Sequence, residues 1–158
     1  MARDITTAFN NAIKSTVVQP LFAIELEFSD GTLRFWNGYG NLTMTAGGSS
    51  KVFTGTGDLL SISPIEETST LQMNGITVAL TGIKSSLIST ALSAQYTNRN
   101  GALYMGLFDA SASVIADVYT LFKGKMDVLN ITESGDTSTI SLKIESRLIS
   151  FEHPLNRL

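Results

Sequence analysis

Residues 20–36 read PLFAIELEFSDGTLRFW, and their pattern decides the fold class. Phe22, Ile24, Leu26 and Phe28 alternate with Ala23, Glu25 and Glu27. A period of two puts the apolar set on one face of a half-buried strand. Asp30-Gly31 follows, and Leu33 to Trp36 reads as the returning strand. An Asp-Gly pair between two such runs predicts a tight hairpin whose turn positions both take positive φ.

On the N-terminal side of this stretch the period changes. Ile5, Phe9, Ala12, Ile13 and Val17 recur at spacings of three and four, one stripe of an amphipathic helix. Asp4 can cap its start, and Pro20 lies just past its end. The apolar stripe is expected to pack on the domain's own core, with a neighbouring subunit as the alternative.

On the C-terminal side, turn signals and strand patterns alternate to the end of the chain. Gly38-Tyr39-Gly40 and Gly47-Gly48-Ser49-Ser50 separate short β segments at 42–44 and 52–54, and 59–62 is a further strand closed by Pro64. Residues 71–73 lead through Asn74-Gly75 into Ile76, Val78 and Leu80, a second hairpin signature. Residues 83–92 carry Leu87, Ile88, Ala91 and Leu92 at helical spacing, with Ser85 or Ser86 as cap, which predicts a short second helix. A polar loop over 95–101 precedes a strand at 103–109, a turn at 110–113 and a strand at 114–122. Residues 125–132 then turn through Ser134-Gly135-Asp136-Thr137 into Ile140, Leu142 and Ile144, which alternate with polar neighbours. The expected fold is mainly β, an antiparallel β-barrel or sandwich with an N-terminal helix and one short internal helix. The whole chain, 1–158, reads as a single domain: a helical segment 1–19, a β core 20–152 and a tail 153–158.

Composition narrows the function classes. Ser and Thr, 18 of each, together outnumber the 11 basic and 14 acidic residues. A hydrophobic fraction of 43% supports a packed core, which disfavours disorder. With no Cys there is no disulfide, thiolate nucleophile or cysteine-ligated metal. A net charge of -3 with scattered Lys and Arg gives no footprint for sequence-specific nucleic-acid binding. No apolar run approaches the ~20 residues that span a bilayer, and residues 1–15 lack the apolar core of a signal peptide. Synthesis in the cytoplasm and no membrane association are the expectations.

Few residues invite a chemical reading. His153, the one His, is flanked by Glu152 and Pro154 and has no partners at a spacing that defines a metal site or triad. Glu66-Glu67 is the one acidic doublet, and adjacent carboxylates on an extended segment point to opposite sides. Together with Asp58 they could form a glycosidase dyad or a Ca²⁺ site, but a loop edge or an intersubunit ion pair fits them better. Gly38-Tyr39-Gly40 and Gly55-Thr56-Gly57 lack the helix and the Gly-Lys-Ser/Thr of a phosphate loop. Trp36 and Tyr39, with Phe35, could stack on a sugar or a base, but a Trp in a strand more often belongs to the core or an interface. No catalytic residue, metal ligand or cofactor is expected; Trp36, Tyr39, Asp58, Glu66 and Glu67 are the candidate ligand or interface residues.

Several long blocks carry a resemblance to a known family. They are LFAIELEFSDGTLRFW (21–36), NGYGNLT (37–43), FTGTGDLLSISPIEETSTLQMNGITVALTGI (53–83), the run from SSLISTALS to KGKMDVLNI (85–131) and TISLKIESRLISFEHP (139–154). Residues 55–68, 103–109, 122–126 and 145–152 are the most telling. Together they resemble the N-terminal domain of the tail hub proteins of siphophages, prophages and gene transfer agents, across nearly the whole chain. The resemblance implies a non-enzymatic β-rich virion subunit at the tail tip or baseplate. Such hubs form rings, commonly homotrimers, between the distal tail protein and the central fibre or tip, around the end of the tape measure protein. Longer relatives continue into a second domain, some with a cysteine-bound iron–sulfur cluster, and that cluster does not carry over to a chain without Cys. The chain is expected to be either a free-standing domain or part of a longer protein. Two other readings stay open: a carbohydrate-binding receptor module using Trp36 and Tyr39, and a cell-wall hydrolase using Asp58 and Glu66. A charge-poor surface rich in hydroxyls fits a subunit with several interfaces, whose centres are depleted in Lys, Glu and Asp.

Overall fold

The computed structural model describes residues 6–56, 60–63, 75–84, 95–109, 111, 113–114, 118–134 and 137–146. Among these residues one helix, α1 (Thr7–Ile13), precedes nine strands: β1 (Gln19–Phe28), β2 (Gly31–Trp36), β3 (Asn41–Ala46), β4 (Ser49–Gly55), β5 (Leu60–Ile62), β6 (Gly75–Lys84), β7 (Asn100–Phe108), β8 (Tyr119–Ser134) and β9 (Thr137–Ser146). They form one sheet in the order β3-β4-β2-β1-β7-β8-β9-β6-β5. The mainly β class and the N-terminal helix are as expected. Among the described residues the sheet is open, ending at β3 and β5, so it is sandwich-like and not a closed barrel. It is also mixed, because β2 and β4 pair in parallel at Phe35↔Thr54 and Trp36↔Gly55 while every other pairing is antiparallel.

β1 lies between β2 and β7, and both of its faces are covered. Ile24, Leu26 and Phe28 join Phe35 of β2, Leu103 of β7, Met126 of β8, Ile76, Val78 and Leu80 of β6, and Ile140, Leu142 and Ile144 of β9 in one core. Residues from β2 to β6, five strands apart in the sheet, thus belong to one buried cluster on one face of it. The ladder shifts at Leu80/Ile83, opposite Leu103/Tyr104 and at Met126/Leu129 put one extra residue into β6 and two into β8, and such bulges bend the strands that carry them. Each of these side chains contributes roughly 1.5–3 kcal/mol on burial, which makes this cluster the main source of stability.

Leu21 and Ala23 of β1 face the other way. With Ala102 and Tyr104 of β7, they are covered by Met44, Ala46 and Phe53 of the β3–β4 hairpin. A strand read as half-buried is therefore buried on both sides, because that hairpin folds back over its second face.

The β1–β2 hairpin forms, but its turn differs from the one expected. Phe28 pairs with Gly31, so the turn residues are Ser29 and Asp30, neither of which has positive φ. Gly31, at φ +150°, opens β2 instead. The β3–β4 hairpin closes on Gly47-Gly48, whose φ values of +62° and +82° suit a two-residue hairpin turn.

Other expectations change in detail. Helix α1 is capped by Thr6, whose hydroxyl accepts from the Phe9 N–H at 3.3 Å; Asp4 and Ile5 lie outside the described residues. Phe9 is the one buried residue of α1, whereas Ile13 and Val17 are 45% and 70% exposed. The stripe expected to pack on the domain's own core is thus largely turned to solvent. Ile83 and Lys84 continue β6 and do not start a helix, while the remainder of the expected internal helix lies outside the described residues. So do 71–74, and β6 finds its neighbours in β5 and β9. Val114 makes only an isolated bridge to Phe108, and the strand expected from 114 begins at Tyr119. The tail 153–158 is likewise outside the described residues.

Candidate functional site

The end of β2 and the Asn37–Gly38–Tyr39–Gly40 loop hold the candidate aromatics. Asn37 extends the β1–β2 ladder by itself: its N–H donates to the Phe22 carbonyl at 3.1 Å, and its side-chain oxygen accepts from the Phe22 N–H at 2.8 Å. The Trp36 indole N–H donates to the Gly40 carbonyl at 3.0 Å, and the same carbonyl accepts from the Gly55 N–H at 2.7 Å. Thr56 closes the site by donating both its N–H (3.1 Å) and its hydroxyl (3.2 Å) to the Trp36 carbonyl. A Cβ on Gly38 would run into the Trp36 ring, so only glycine fits between the loop and the indole. The ring meets Phe108 edge-to-face, with centroids 6.1 Å apart, at the border of the second core.

Trp36 is therefore half-buried, with its N–H engaged, whereas Tyr39 is 79% exposed at the loop tip. The two do not form a joint stacking platform. Asp58, Glu66, Glu67 and His153 lie outside the described residues.

A charged cluster in the interior was not anticipated from sequence. Glu25 points into the second core, 9% exposed, from the face of β1 that carries Leu21 and Ala23. Its Oε2 accepts from Arg34 Nε of β2 at 2.6 Å, and its Oε1 accepts from Lys51 Nζ of β4 at 2.8 Å. Burial alone pushes the Glu25 carboxyl up, but the hydrogen bonds and charges of Lys51 and Arg34 outweigh it and hold the group below its ordinary value. Tyr104 of β7 stands beside them, with Lys51 Nζ 5.9 Å from its ring centroid. Burial, and then the Glu25 charge, push its phenol up.

Chemically this is a clamp. Both carboxylate oxygens are occupied, and the charge is fixed by two cations from two different strands. Such a group is a poor general acid, because its pKa is held down and it carries no proton near neutral pH, and a hindered base, because a cation engages each oxygen. What it does is bind the β3–β4 hairpin to the sheet through Lys51. Among the described residues no group of three or more His, Cys, Asp and Glu side chains could hold a metal ion. No described helix is long and apolar enough to cross a membrane. The site thus belongs to the class of structural polar clusters that fix packing. No protein-family model and no curated protein matches the chain.

Proposed function

We propose that the chain is a structural subunit of a phage or phage-derived tail, a hub at the tail tip or baseplate that assembles with copies of itself. The distal tail protein, the central fibre or tip and the tape measure protein are its proposed neighbours. The observation that carries this reading is the family wording over most of the chain, from residue 21 to residue 154. The blocks concerned encode scaffold more than reactive groups. Residues 103–109 fall in and just after β7, beside β1, and 122–126 lie in β8, with Leu103 and Met126 in the main core. In the 37–43 block, Asn37, Gly38 and Gly40 are explained by hydrogen bonds and close packing.

The reading is also supported by the clamped state of Glu25 and by the exposed apolar side chains Ile13, Val17, Val18 and Tyr39. Trp36, spent on packing and on the Gly40 carbonyl, does not favour a sugar-binding platform. The test is assembly. Tails purified from a strain carrying a tagged copy should contain the chain at a fixed number of copies per particle, seated at the distal end by electron microscopy. Tails that lack it, or that form normally after its deletion, would end the proposal.

A further inference from the structure

We propose that the free edge of β3 is a self-association site, occupied by β3 of a second copy paired antiparallel about Thr43. Among the described residues the sheet ends at β3 and β5. β5 has three residues, and brevity protects an edge; β3 has six. Proteins otherwise blunt a long edge with Lys, Pro or a bulge. β3, Asn-Leu-Thr-Met-Thr-Ala, has no charge and no Pro, and its register with β4 runs unbroken from Asn41↔Thr54 to Ala46↔Ser49.

The phase of the ladder identifies the outward groups. A two-residue turn makes Ala46↔Ser49 the first hydrogen-bonded pair, so Met44 and Leu42 also direct their N–H and C=O at β4. The Gly55 N–H bonded to the Gly40 carbonyl continues that phase. The N–H and C=O groups of Asn41, Thr43 and Thr45 therefore point away from β4. The same three side chains are exposed, while Met44 and Ala46 are buried.

Charge favours a second copy as the occupant. Lys51 is the one charged residue between 41 and 55, and it is turned inward onto Glu25. The outer face of the hairpin, Thr43, Thr45, Ser50, Val52 and Thr54, is left without charge, and Val52 is 53% exposed. A two-fold pairing with Thr43 opposite Thr43 sets Asn41 opposite Thr45. Every outward N–H then meets an outward C=O, and no like charges are juxtaposed. β-branched residues continue across the joined face, the kind of cross-strand pair that stabilises a sheet. The inference stands apart from the tail reading, because a two-fold contact joins two copies and does not by itself close a ring.

The chain has no Cys, so a single introduced thiol reports its neighbours cleanly. Under mild oxidation Thr43→Cys should yield a covalent dimer. Val52→Cys, also exposed but one strand further in, should not. The unmodified chain should sediment as a dimer, and Thr43→Lys as a monomer with unchanged circular dichroism. Mixing Thr43→Lys with Thr43→Glu should restore the dimer that neither forms alone. A monomeric unmodified chain, a dimer that survives Thr43→Lys, equal cross-linking at both cysteines, or no dimer in the Lys/Glu mixture would each overturn the proposal.

Discussion

Two charge triads sit in opposite halves of the sheet and invert one another. In one, the Glu25 carboxylate lies between Arg34 and Lys51, largely shielded from water. In the other, the Lys143 ammonium lies 2.7 Å from Glu145 and 3.9 Å from Asp127, on an exposed surface. The hydrogen bond that Lys143 donates to Glu145, and then the Glu145 charge, raise the Lys143 pKa, but solvent screens the attraction. The difference lies in what each triad joins. Lys143, Glu145 and Asp127 decorate β8 and β9, already held by a long ladder. Glu25 links β1, β2 and β4, and β4 touches β2 through only two paired positions. The same chemistry is ornament in one half and fastening in the other.

The largest expected effect comes from Glu25→Ala. It strands Lys51 in a shielded site, with Arg34 at the rim, and the expected loss is about 3 kcal/mol, the low end for breaking a buried pair. Urea unfolding should show the loss, and if stability stays within error of the parent the clamp has no structural role. Next is Gly38→Ala, which forces the Trp36 ring or the loop to move. Overpacking of this kind costs about 1–3 kcal/mol, and Trp36 fluorescence should shift with it.

A smaller effect is expected from acid. The folded pKa of Glu25 lies below the ordinary value of 4.5, so its contribution is complete above that value. It is lost as pH falls from there through the lower folded pKa. Urea midpoints at successive pH values should decline over that window, and Glu25→Gln should remove this share of the decline. Smallest of all is Lys143→Ala, whose melting temperature should match the parent at moderate salt. A clear drop there would abolish the contrast between the halves.

How much of this was legible from residues turns on one turn. The β1–β2 hairpin was readable, and so were the main-core residues Ile140, Leu142 and Ile144. With Asp30-Gly31 at the turn, however, Glu27 would face Arg34. The observed turn at Ser29-Asp30 brings Glu25 opposite Arg34 instead. A shift of the turn by one residue thus hid the clamp. Lys51 could not be found by any local pattern, because its partner lies across a fold-back of the β3–β4 hairpin onto β1. The exposed stripe of α1 was misjudged for a related reason. Periodicity shows that a helix has an apolar side, but says nothing about what covers it.

The pairing of β1 with β7 also sets the order of events when the chain folds. Leu21 must find Gly106 and Leu26 must find Gly101, far along the chain, whereas β1–β2, β3–β4 and β8–β9 are hairpins that close locally. Loop-closure entropy delays the distant pairing, and sheets dominated by such contacts fold in milliseconds to seconds, on the order of a thousandfold slower than helical bundles. Until β7 arrives, β1 has an open edge and uncovered apolar faces. That interval, more than the finished molecule, is when a newly made chain is most exposed to mispairing with its neighbours.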